Sequence, residues 1–95
     1  MGKIFSEQTE ALFEAILTLK DIETCRNFFE DLCTIKEVQD MSQRLHVAGE
    51  LKKGKNYQEI SKSTGASTAT ISRVNKCLMY GNGGYNTVLE AMKNE

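Results

Sequence analysis

Apolar residues in this chain recur at steps of three and four, the spacing of a helix face, and strand-like alternation is scarce. Ser6 can cap a first helix, with Glu7 and Glu10 near its positive end. Leu12, Ile16 and Leu19 make one stripe, widened by Phe13 and Leu17. A second helix begins near Asp21 and carries Ile22, Cys25, Phe28, Phe29 and Leu32. Thr34-Ile35-Lys36-Glu37 reads as a capping box opening a third helix over 35–53, a rod of roughly 28 Å. Val38, Met41, Leu45 and Ala48 share one of its faces, with Leu51 alongside, and Gly54 suits its left-handed stop. Asn56 can cap a short fourth helix that Gly65 ends, and Ser67 a fifth that runs to about Tyr80. Beyond the connection Gly81-Asn82-Gly83-Gly84, the positions Tyr85, Val88, Leu89 and Met92 give a short last helix. The pattern predicts an all-α fold of six helices in a single domain spanning 1–95.

Composition narrows this picture. A domain of 95 residues buries about 60–65% of the surface its unfolded chain exposes, so its core is thin unless a partner subunit helps. The longest uncharged apolar stretch, Ala15-Ile16-Leu17-Thr18-Leu19, is far short of the roughly 20 residues a membrane span needs, so no membrane association is expected. The start, Met1-Gly2-Lys3-Ile4-Phe5-Ser6-Glu7, lacks the apolar region of a signal peptide, and Ile4-Phe5 reads as core rather than as part of an acylation signal. Three widely spaced cysteines, Cys25, Cys33 and Cys77, and one histidine, His46, suggest neither a metal site nor a disulfide framework. Reduced thiols in a cytoplasmic protein without a cofactor are expected. No nucleophile–base pair, phosphate-binding glycine loop or carboxylate pair points to an enzyme, and no catalytic residue is assigned.

The net charge of −1 conceals a division. Residues 1–50 hold ten acids and five bases. Residues 51–77 hold six bases (Lys52, Lys53, Lys55, Lys62, Arg73 and Lys76) against Glu59 alone. A local positive field of that kind points at a polyanion.

The same segment carries a helix-turn-helix pattern at about 57–77. Ser61 is small enough to let a second helix approach, and Gly65 supplies the positive φ of the turn. Ile60, Ala66, Ile71 and Val74 are spaced to lock the two helices together. Gln58, Ser61, Lys62, Ser67, Thr68, Ala69, Thr70 and Ser72 are the candidate DNA-facing residues, with Arg73 and Lys76 for phosphates. A plain two-helix hairpin explains Ile60, Gly65 and Ile71. It does not explain a second helix rich in Thr and Ser, poor in acids and set among bases.

Gly65-Ala66-Ser67-Thr68-Ala69-Thr70-Ile71-Ser72-Arg73 resembles the recognition helix of the tryptophan repressor superfamily. The pattern Thr34…Arg44…Leu51…Gly54 is similar to that family's third helix and its cap, and the nearest resemblance is to the TrpR-related YerC/YecD subgroup. The resemblance implies a six-helix TrpR-like domain in an intertwined homodimer. It also implies an effector pocket between the third helix and the recognition helix, where Arg44 and Arg73 match the arginines that flank the indole ring. Thr34 matches a residue that faces the ligand from the partner subunit. Two positions depart: Val74 stands where the family has a glycine that leaves room for the ring, and Cys77 where it has a serine that helps hold the ligand. L-Tryptophan is therefore not expected to bind tightly, and a small anionic effector fits the two arginines better. An ion pair with Asp40, one turn earlier, is the alternative use of Arg44, and a DNA phosphate contact that of Arg73.

The reading is a homodimeric, sequence-specific DNA-binding transcriptional regulator acting as a repressor on duplex DNA. The alternatives are a protein-interaction module and an architectural DNA binder on the same helix-turn-helix. Basic side chains beside the second helix favour DNA, whereas a protein-docking face would more often expose an apolar patch there.

Overall fold

The computed structural model describes residues 5–93. Met1–Ile4, on which most of the N-terminal signal reading falls, lie outside the described residues. Six helices follow one another: α1 Glu7–Ile16, α2 Ile22–Leu32, α3 Ile35–Lys52, α4 Tyr57–Thr64, α5 Thr68–Tyr80 and α6 Gly84–Lys93. The described residues contain no strand. The chain divides between Ile35 and Lys36 into two compact units.

In the first unit the helix starts follow the expected caps. The Ser6 hydroxyl accepts from the Thr9 amide at 3.2 Å, and the Asp21 carboxylate from the Thr24 amide at 2.8 Å. That bond is the main reason the Asp21 carboxyl lies below its ordinary range. The end of α1 differs from the expected stripe. The helix stops at Ile16, and Thr18 and Leu19 tighten into bonds to Ala15 and Ile16, three residues back. The Thr18 hydroxyl also bonds the Ala15 carbonyl at 2.7 Å. This local competitor, and the lack of a C-cap glycine, turn Leu17 outward at 83% exposure instead of widening the stripe. No residue of α1 or α2 is buried. Phe5 and Phe13 meet edge to face at 5.2 Å between centroids, yet both stay exposed.

The second unit holds the core. Val47 and Ala48 of α3, Ile60 of α4, Ala66 of the turn, and Ile71 and Val74 of α5 are each at most 1% exposed. Leu51, Tyr57, Leu78, Tyr85 and Leu89 pack around them. Val47 was not on the stripe that the three- and four-residue spacing picks out. It is buried in one cluster with Ile60, Ala66, Ile71 and Val74, which come from the helices and turn that follow α3. Gly54, at φ 82°, ends α3 as expected, its amide bonding the Leu51 carbonyl at 3.0 Å.

Candidate nucleic-acid interface

The α4–α5 pair is built by local chemistry. Asn56 and Glu59 form a reciprocal capping box at the start of α4 (2.9 and 3.2 Å). Gly65 closes α4 at φ 77°, a conformation that costs other residues steric strain. The Thr64 hydroxyl donates to the Ile60 carbonyl at 2.6 Å and accepts from the Ala66 amide at 3.1 Å. The Ser61 hydroxyl spans the turn to the Ala66 carbonyl at 2.7 Å. Ser67 then caps α5, accepting from the Thr70 amide at 3.1 Å. Ile60, Ala66, Ile71 and Val74, the four positions spaced to lock the pair, are all in the core.

These bonds sort the candidate residues. Gln58, Lys62, Ser67, Thr68, Ala69, Arg73 and Lys76 are exposed. Thr70 and Ser72 are half-buried, and the Thr70 hydroxyl is bonded to that of Ser67 at 3.1 Å. Ser61 is half-buried with its hydroxyl spent within the turn. The first turn of α5 carries no acid. Its outward surface is thus small and neutral at Thr68 and Ala69, with cationic side chains further along.

Beside it lies a polar cleft of about 270 Å³, lined by Lys36, Asp40, Gln43 and Arg44 of α3 and by Thr70 and Arg73 of α5. The two arginines singled out by sequence therefore share one cleft. Asp40 pairs with Lys36 at 3.0 Å, and among the described residues neither Arg44 nor Arg73 joins an ion pair. The suggested Arg44–Asp40 pair is replaced by the neighbour one turn earlier. Val74 does not line the cleft: it is buried in the core. Cys77 lines a separate apolar hollow with Leu45, Tyr85 and Val88. Thr34 directly precedes α3, in the first unit.

The basic segment contains a constraint that its charge count hides. Lys55, between α3 and α4, is held at 2.8 Å by the Glu50 carboxylate, which is only 7% exposed and has His46 at 3.4 Å on its other oxygen. The Lys55 hydrogen bond chiefly lowers the Glu50 carboxyl, outweighing burial, with Lys53, Lys55 and His46 adding their charges. The same contact raises the Lys55 ammonium. Sequence reading missed Glu50. Its signal was a Glu and a Lys flanking the Gly54 stop, where the chain turns back on itself. Gln43 was also missed, and no sequence signal marked it.

Among the described residues no group of His, Cys, Asp and Glu is arranged to hold a metal ion, and no helix is long and apolar enough to cross a membrane.

Fold and site together define a six-helix, all-α protein of the TrpR-like kind. The family model for the Trp repressor protein matches residues 7–93, and the chain belongs to that family. It is 52% identical over 93 residues to the YerC protein of Bacillus subtilis (strain 168), itself described as uncharacterized, covering 98% of this chain and 89% of that one. A crystal structure of a TrpR-like protein from Eubacterium eligens ATCC 27750 superposes with a TM-score of 0.89 at 51% identity, over 93% of this chain and 91% of that one. A candidate Trp repressor from Staphylococcus aureus gives a TM-score of 0.91 at 48% identity, over 97% of this chain and 92% of that one.

Proposed function

We propose that this protein is a sequence-specific DNA-binding transcriptional regulator in the cytoplasm, acting as a homodimeric repressor. The pair α4–α5 serves as its helix-turn-helix, with α5 entering the major groove. The observation that carries this is the exposed start of α5: Thr68 and Ala69 are open to solvent, as is Gln58 on α4, the first turn of α5 carries no acid, and Arg73 and Lys76 are exposed further along the helix to meet phosphates. Family membership supports the same reading.

A homodimer accounts for the apolar surface left open just after α1 and along α2, where Leu17, Ile22 and Leu32 are each at least half exposed. A two-fold pair would set two α5 helices about one DNA turn apart, roughly 34 Å. The effector is a small anion seated between Arg44 and Arg73 in the polar cleft, not L-tryptophan: the family resemblance places a glycine that leaves room for the ring where this chain has Val74, and here that side chain is packed into the core.

Selection from a pool of random duplexes tests the main reading. A motif should emerge and bind with a Kd of about 10⁻⁸ M or tighter at physiological salt, weakening steeply as salt rises. Thr68→Ala should erode sequence preference more than non-specific binding. No enriched motif, together with no gel shift at low salt, refutes the proposal. Binding to any duplex without preference would favour the architectural alternative.

A further inference from the structure

We propose that Gln43 is a positioning residue for DNA recognition: from α3 its side-chain amide ties down the Thr64–Gly65 peptide and so fixes the direction in which α5 leaves the turn. The inference rests on the DNA-binding reading above.

The last carbonyls of any helix lack partners within it. In α4 the Ser61 and Thr64 carbonyls find partners beyond the helix. The Ile60 carbonyl accepts the Thr64 hydroxyl, and the Ser61 carbonyl accepts the Gly65 amide at 2.9 Å. The Thr64 carbonyl accepts from Gln43 Nε2 at 3.3 Å, across 21 residues of sequence. The other hydrogen bonds described for the turn join residues 56–71 of α4 and α5 to one another, so among the described residues Gln43 alone ties it by a hydrogen bond to α3.

The tie sits where it has most leverage. Gly65 has no Cβ and tolerates a wide range of φ and ψ, so sterics alone do not fix the peptide plane before it. Any rotation of that plane carries Ala66, the Ser67 cap and the first turn of α5 with it. Ala66 is anchored in the core, whereas Ser67, Thr68 and Ala69 are exposed and are held by the bonds of Ser67 to Thr70 and Ile71 within α5 rather than by burial of their own. Gln43 also lines the polar cleft beside Arg44 and Arg73, so whatever is seated there meets the group that steadies the turn.

The experiment uses the full chain with three substitutions. Gln43→Met keeps length and bulk without a donor. Gln43→Glu keeps the shape but offers only acceptors to the carbonyl. Gln43→Lys restores a donor. Specific and random duplexes are titrated in parallel, and amide exchange is followed without DNA. Loss of one neutral hydrogen bond should lower the ratio of specific to non-specific affinity about fivefold in the Met and Glu variants. The Lys variant should recover most of the ratio. Its added charge strengthens binding to both duplexes and so largely cancels. Exchange at Gly65 and Ala66 should quicken by a similar factor in Met and Glu relative to Ile60 and Ile71, which report the core.

Three results overturn the inference: ratios within twofold of wild type for Met and Glu, unchanged exchange at Gly65 and Ala66, or an equal fall in all three variants, which would make the role one of shape. A wild-type protein that selects no motif refutes the DNA-binding function itself. Failure confined to the variants refutes only the role of Gln43.

Discussion

Shortening Val74 tests the core and the effector argument together. The side chain is 1% exposed and packs with Ile60, Ala66 and Ile71, the residues that join α4 to α5. Val74→Ala removes two buried carbons, about 1.6 kcal/mol at roughly 0.8 per methylene, and the void left behind brings the cost to about 2–2.5 kcal/mol. Val74→Gly removes a third carbon and puts glycine inside a helix, adding about 0.8 and 1 kcal/mol, for a total near 4 kcal/mol. Small domains sit towards the low end of the usual 5–15 kcal/mol, so the glycine variant should be close to unfolding and the alanine variant folded but weakened. Guanidinium unfolding followed by circular dichroism measures this, at one fixed protein concentration because any dimer makes stability concentration-dependent. An alanine variant within 0.5 kcal/mol of wild type would refute the packing account. Calorimetry on the same proteins tests the ligand argument. Wild type should bind L-tryptophan more weakly than about 10⁻⁵ M, and tighter binding would refute the exclusion of indole by Val74. If lack of space is the sole obstacle, the alanine variant should gain affinity while it remains folded.

Three further outcomes follow from individual contacts. Ser67→Ala removes the cap of α5 and should cost about 1 kcal/mol, with Ser67→Asp nearly neutral to stability; equal losses in both would show that the cap is not the cause. Gly65→Ala meets no clash, its added Cβ lying 3.8 Å from Gln43 Nε2, so the φ of 77° alone should make it cost about 1 kcal/mol. Gly65→Asn should cost less, and a neutral alanine would refute the assignment of strain. Glu50 has its carboxyl lowered by Lys55, so its contribution is full above the ordinary value of 4.5 and fades as pH falls through the lower folded value. Lys55, raised by the same contact, keeps its contribution until pH climbs past 10.5. Glu50→Gln should be less stable than wild type at pH 7, with the gap closing in acid. Denaturation curves that stay parallel from pH 7 to pH 3 would refute this.

Sequence alone determined the helices, because their signals are local. Ser6, Asp21, Asn56 and Ser67 bond amides three residues ahead, and Gly54 and Gly65 adopt φ values that glycine allows without strain. It also determined the α4–α5 pair, since the spacing of Ile60, Ala66, Ile71 and Val74 is that of the contact itself. Leu17 was misread because a helix stripe says nothing of where the helix ends, and Thr18 ends it by bonding Ala15. Only the tertiary structure decided what depends on approach between distant segments. Val47 is buried by helices that follow it, and Gln43 reaches a carbonyl 21 residues away. Arg44 and Arg73 share a cleft while Val74, next to Arg73 in the chain, faces the core, because neighbours on a helix point about 100° apart. Periodicity places residues on faces, but which face meets which is set by long-range packing.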